Sequence, residues 1–144
     1  MCLLAEQIRK NWEEPLIAQE KIECYKYLVP TDSGGVSPIF QYGYSFGTEN
    51  YAQLKLVGPY VEDGFHAFQS KSTGVEYILD YNPNAEFALY KCIIPKGAKY
   101  YLGMCGDIVS DCMIVVSKYK VTWSEKAIHR LKILYKKIKH FLKN

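Results

Sequence analysis

Two stretches of this chain are apolar on both faces of an extended strand, and they constrain its fold more than any other feature. In residues 86–94, Ala88, Tyr90, Cys92 and Ile94 alternate with Phe87, Leu89 and Ile93. Neither face of such a strand belongs in water, so it is expected at the centre of a sheet. Residues 112–116 have the same character. Between them, Pro95-Lys96-Gly97 reads as a turn and the tyrosine-rich residues from Lys99 as a return strand beside the first. Residues 22–29 alternate loosely and read as a further strand, closed by the turn-forming run 30–35.

A central sheet needs cover, and the sequence supplies helices. Thr73 with Glu76 and Thr122 with Glu125 both have capping-box spacing, in which hydroxyl and carboxylate satisfy two orphan amides. The first predicts a short helix through Tyr81, and the second opens the longest helix of the chain. At 100° per residue, Ala127, Ile128, Leu131, Leu134, Tyr135, Ile138, Phe141 and Leu142 fall on one stripe of that helix. Lys126, Arg130, Lys132, Lys136, Lys137, Lys139 and Lys143 cover the opposite side. Burying each large apolar side chain is worth roughly 1.5–3 kcal/mol, so Ile128, Leu131, Leu134 and Ile138 are expected to pack intramolecularly or across a homodimer. Near the start, Leu4, Ile8 and Trp12 have helical spacing that Pro15 interrupts. The resulting expectation is α+β: a compact, mainly antiparallel sheet with a short middle helix and a long amphipathic C-terminal helix. Residues 1–121 form the core, and residues 122–144 form the helix.

At 144 residues the chain is long enough for one domain with a real core. Its five cysteines form no CxxC pair and sit largely in apolar runs, which fits free thiols in a reducing compartment. The opening residues lack the apolar run of a signal peptide. No stretch approaches the ~18 apolar residues of a membrane span, so a cytoplasmic location is expected. Net charge +3 is unevenly spread. Residues 125–144 carry seven Lys/Arg against one Glu, leaving a mildly acidic body. That basic helix face suits a wet surface first, with nucleic acid or an anionic membrane as other uses.

Catalytic and metal signatures are sparse. The cysteines and histidines lack the close ligand pairs of a zinc site, and no phosphate-binding glycine loop follows a strand. His66 is the one plausible base in the body, with no nucleophile motif beside it. A binding reading has more to draw on, because thirteen tyrosines supply rigid amphipathic surface. Lys96 and Lys99 flank the turn before Tyr100 and Tyr101, and a cation beside stacking rings suits a nucleotide-like ligand. The candidate ligand-binding set is Tyr42, Tyr44, His66, Lys96, Tyr100 and Tyr101. The rings would stack on a base, and Lys96 would meet phosphate.

Several segments carry a resemblance: Met1-Cys2-Leu3, residues 23–28, Ser37-Pro38, residues 64–68, residues 92–101 and residues 106–111. Over about residues 1–117 the chain resembles an uncharacterised family of small proteins of Bacteroides-type gut bacteria and their phages. The strand and turn at 92–97 are also faintly similar to the core of ADP-ribosyltransferases, with Asp107 and Asp111 near where that fold carries a glutamate. The resemblance to the phage proteins implies a protein of a bacterial host cytoplasm that sequesters a nucleotide-derived immune signal without turnover. The alternatives are an ADP-ribosyltransferase-like enzyme acting on NAD through His66 with Asp107 or Asp111, and a protein-interaction module. No cofactor is expected. The expected partners are a small nucleotide-like ligand and a second copy met through the C-terminal helix.

Overall fold

The computed structural model describes residues 3–5, 11–37, 42–81 and 87–143. In chain order the strands are β1 (Leu3–Leu4), β2 (Leu16–Ile17), β3 (Ile22–Thr31), β4 (Gly34–Val36), β5 (Gly43–Ser45), β6 (Glu49–Tyr51), β7 (Lys55–Val57), β8 (Tyr60–Asp63) and β9 (Phe65–Phe68). Helix α1 (Lys71–Tyr81) follows, then β10 (Ala88–Ile94), β11 (Lys99–Leu102), β12 (Asp107–Ser110), β13 (Cys112–Tyr119) and α2 (Trp123–Phe141). The molecule is α+β, with a mainly antiparallel sheet, a short middle helix and a long C-terminal one. Ten strands share one sheet, ordered β2-β11-β12-β9-β3-β10-β13-β6, with β4 joined to β3 and β5 to β4. A smaller sheet runs β1-β8-β7.

The two-sided apolar stretches sit where their composition requires. β10 lies between β3 and β13, with Cys92 opposite Cys24 on one side and Val115 on the other. One face of these strands builds the main core, with Cys24, Leu28, Cys92, Ile94, Met113 and Val115 all sealed from solvent. The other face carries Leu89, which packs under Val75 and Ile78 of α1 together with Tyr25, Tyr27 and Tyr119. Gly74 permits that approach, because a Cβ there would lie 3.1 Å from Leu89 Cδ1.

Three local expectations need correction. The segment after the Pro95 turn does not return beside β10. Both edges of β10 are already taken by β3 and β13, so β11 pairs instead with β2 and β12. The helical spacing that includes Leu4 is overruled as well, since Leu4 lies in β1 opposite Tyr60. Ile8 lies outside the described residues, and Trp12 packs against Val61, Tyr101 and Val109. Finally, α1 begins two residues before Thr73, and its cap is Ser70, whose hydroxyl accepts from the Thr73 amide at 3.3 Å.

The box at Thr122 forms as its spacing predicts: Glu125 N donates to Thr122 Oγ1 at 3.2 Å, and Thr122 N donates to Glu125 Oε2 at 2.8 Å. Of the two covers expected for the helix it opens, the described residues do not supply the intramolecular one. No residue of α2 is buried. Ile128, Leu131, Leu134 and Ile138 are 53%, 64%, 53% and 48% exposed, so the described residues leave about half or more of each uncovered. The sheet face that could have received them is occupied by α1.

Candidate functional site

Alternation along β3 creates the site. Cys24, Lys26 and Leu28 point to the same side, and both neighbours of Lys26 in that row are completely buried. Lys26 is therefore carried into the core by its strand, with only 6% of its surface exposed. Its ammonium donates to the His66 carbonyl oxygen and stands 5.4 Å from the centre of the Tyr44 ring. An ammonium has three donors, and among the described residues no carboxylate pairs with this one. Burial pulls its pKa down from 10.5 to about 8, because the charged form is the one that loses hydration.

Lys26 lines a pocket together with Ser37, Tyr42, Tyr44, His66, Phe68 and Asp107. Strand β9 supplies His66 and Phe68, and β12 supplies Asp107 directly opposite Phe68. Tyr44 comes from β5 and leans on Phe65, their ring centres 5.0 Å apart. Tyr42 stands at the rim, 36% exposed, its hydroxyl 3.5 Å from Asp63 Oδ1. Two buried polar atoms at this pocket, Tyr44 Oη and Asp107 Oδ1, have no hydrogen-bond partner among the described residues. Buried polar groups are normally satisfied, so these two are available to a guest. Burial raises the pKa of both the Tyr44 phenol and the Asp107 carboxyl.

The pocket thus presents a buried cation, a hydroxyl and a carboxyl oxygen within aromatic walls. About 40 Å³ of it admits the centre of a water molecule. Since roughly 10–15 Å³ seats one water, the inner part has room for about three waters. It suits the polar head of a ligand.

Three of the six residues singled out by sequence come together here: Tyr42, Tyr44 and His66. The other three do not. Lys96 is exposed at the turn after β10. Tyr100 packs against the main core, and Tyr101 is buried with its hydroxyl donating to the Glu13 carbonyl at 2.7 Å. Strand β12 stands between β11 and the pocket-forming β9, so stacking rings on β11 with Tyr44 is not available in this topology. Asp107 lines the pocket, whereas Asp111 is used elsewhere, accepting from the Lys99 amide at 2.9 Å. Lys26 was the residue that motif reasoning passed over. The signal was present in the alternation of 22–29, where Cys24 and Leu28 set the phase of the lysine between them. No family profile, curated protein or solved structure compared with the chain matches it.

His66 provides a pH test of this geometry. Burial, then the Lys26 charge, push its pKa from 6.5 down to about 4. Between those values the unfolded chain binds the proton and the folded one refuses it, so stability rises with pH across that window. The contribution is fully present above pH 6.5 and is lost as pH falls toward 4, amounting to about 2–3 kcal/mol. Urea unfolding of wild type and His66→Gln at both ends of the window checks this. The stability difference between the two proteins is expected to move against wild type in acid.

Proposed function

We propose that this protein binds, without turning it over, a small phosphorylated or nucleotide-like ligand whose polar head enters the Lys26 pocket. The observation that carries this reading is the Lys26 ammonium, buried with one hydrogen-bond acceptor from the protein and no carboxylate among the described residues. A buried charge is tolerated when something pairs with it, and an anionic head group would complete its shell. Lys26 and Tyr44 Oη would donate to ligand oxygens, and Asp107 Oδ1 would accept from a ligand N–H or P–OH. Tyr42 and Phe68 would flank whatever flat group the head carries. Retention of such a ligand amounts to sequestration, the role expected of a protein that withholds a nucleotide-derived signal.

A thermal-shift panel tests the reading with inorganic phosphate, cyclic dinucleotides, ADP-ribose and NAD. A ligand at 100 times its Kd adds about 2.7 kcal/mol to the folded state, so at least one member is expected to raise the melting temperature. If none does, the reading fails. A second, enzymatic reading draws on His66 and Asp107 sharing the pocket. Incubation with NAD followed by mass spectrometry separates the two: intact NAD supports binding alone, and released nicotinamide supports the enzyme.

A further inference from the structure

Helix α2 is held to the rest of the chain by its polar side. Lys132 Nζ reaches Glu76 at 2.5 Å, His129 Nε2 lies 3.0 Å from Asp80, and Glu125 lies 3.8 Å from Lys71 Nζ, all three partners belonging to α1. At 100° per residue, Glu125, His129 and Lys132 fall together, and Leu131, Leu134, Tyr135, Ile138 and Leu142 lie about a third of a turn away. Those five are between 48% and 77% exposed. Trp123 at one end and Phe141 at the other are 84% and 82% exposed. A continuous apolar strip of that length on a surface marks a place where something docks.

The charges choose the occupant. On the same projection Arg130 and Lys137 border one side of the stripe, and Lys132 and Lys139 border the other. Glu125 is the only acidic residue among seven basic ones in residues 125–144. A second copy docking stripe to stripe would set Arg130, Lys137 and Lys139 against the same cations of the other helix, whose one acidic residue, Glu125, lies on the α1 side, while Lys132 is already paired with Glu76. Nucleic acid would satisfy the cations and leave the stripe in water. An anionic lipid surface satisfies both: the stripe sinks to the acyl boundary, and the flanking Lys and Arg reach up to the head groups. Exposed Trp123 suits the interfacial region, where its ring is apolar and its N–H finds a partner. No helix of the described residues is long and apolar enough to cross a membrane, so this contact is one of lying along the surface.

We propose that α2 docks this protein on anionic membrane surfaces through its Leu131–Ile138 stripe, independently of the Lys26 pocket. The test is co-sedimentation of the full chain with vesicles of phosphatidylcholine alone and of equimolar phosphatidylcholine and phosphatidylglycerol. Each cation near an anionic surface adds about fivefold, so binding to the anionic vesicles is expected to exceed neutral binding by more than about tenfold and to fall as salt is added. The double variant Leu131→Asp, Ile138→Asp is expected to lose vesicle binding and keep its melting temperature, because about half or more of each side chain is uncovered in the fold. Arg130→Glu with Lys137→Glu is expected to weaken binding to anionic vesicles and leave neutral ones unaffected. Three results overturn the proposal: equal or absent binding to both vesicles, retained binding in the double Asp variant, or a fall in that variant's melting temperature. A dimer in solution that the double Asp variant splits also overturns it, and makes the stripe a contact between copies.

Discussion

Replacing Lys26 by Met is expected to make the ligand-free protein more stable, by about 2 kcal/mol at neutral pH. Holding the lysine charged while its folded pKa lies near 8 rather than 10.5 costs about 3 kcal/mol. The methionine has similar length and reach without the charge, and it fits among Cys24, Leu28 and Tyr44 as apolar filling. Loss of the hydrogen bond to the His66 carbonyl takes back about 1 kcal/mol. The pH dependence identifies the cause. Lys26 has a depressed folded pKa, so between pH 8 and 10.5 the unfolded chain binds a proton that the folded chain does not, and its penalty shrinks as pH rises. The advantage of Lys26→Met is therefore greatest below pH 8 and closes toward 10.5. Comparing the two proteins cancels the Cys112 thiol, whose pKa burial raises to about 11, whereas the Cys24 and Cys92 thiols feel the Lys26 charge and are themselves raised by burial in both proteins. Urea midpoints across that range check it, and a variant less stable than wild type at pH 7 would contradict it. A stabilising substitution at a buried lysine is the mark of a residue kept for binding rather than for folding.

Gly34→Ala is expected to cost about 3 kcal/mol and to disturb the pocket. A Cβ at Gly34 would meet the Tyr44 carbonyl oxygen and lie 3.1 Å from the carbonyl carbon and 3.6 Å from Ser45 Cα. These are backbone atoms of β5, so no rotamer change clears them, and β4 and β5 must separate where Gly34 pairs with Ser45 and Gly35 with Tyr44. The movement displaces Tyr44 from Lys26. Gly43 is the control, because it lies in the same pair of strands and a Cβ there would meet nothing within 4 Å. Chemical denaturation of both variants decides the matter: equal, small losses would mean that β4 and β5 are not held as tightly as this contact requires.

Much of the fold was legible because it depends on local chemistry. β10 and β13 announce themselves as central strands, since neither of their faces could be left wet, and Thr122 with Glu125 carries its own cap. The partner of β11 was not legible. Pairing is settled by which strand edges remain vacant, and that depends on where β3 and β13 have already gone. At the site, His66, Tyr42 and Tyr44 stand out as residue types, whereas Tyr100 and Tyr101 look equivalent to them until β12 separates the two groups. Lys26 was hidden for a related reason. A lysine in an alternating strand reads as outward-facing by type, and only the phase set by Cys24 and Leu28 turns it inward. The stripe of α2 was legible as a stripe, but its cover was not, because α1 had taken the sheet face it would have used.

The central claim, that a buried Lys26 ammonium holds an anionic head group, is tested most directly by calorimetric titration of wild type and Lys26→Met. The titrant is the panel member that most raises the wild-type melting temperature, applied at about pH 7 and about pH 9.5, on either side of the Lys26 pKa. Wild-type affinity is expected to be more than about tenfold weaker at the higher pH, and Lys26→Met is expected to bind weakly at both. Affinity that is the same at both pH values, or undiminished in Lys26→Met, would contradict the claim.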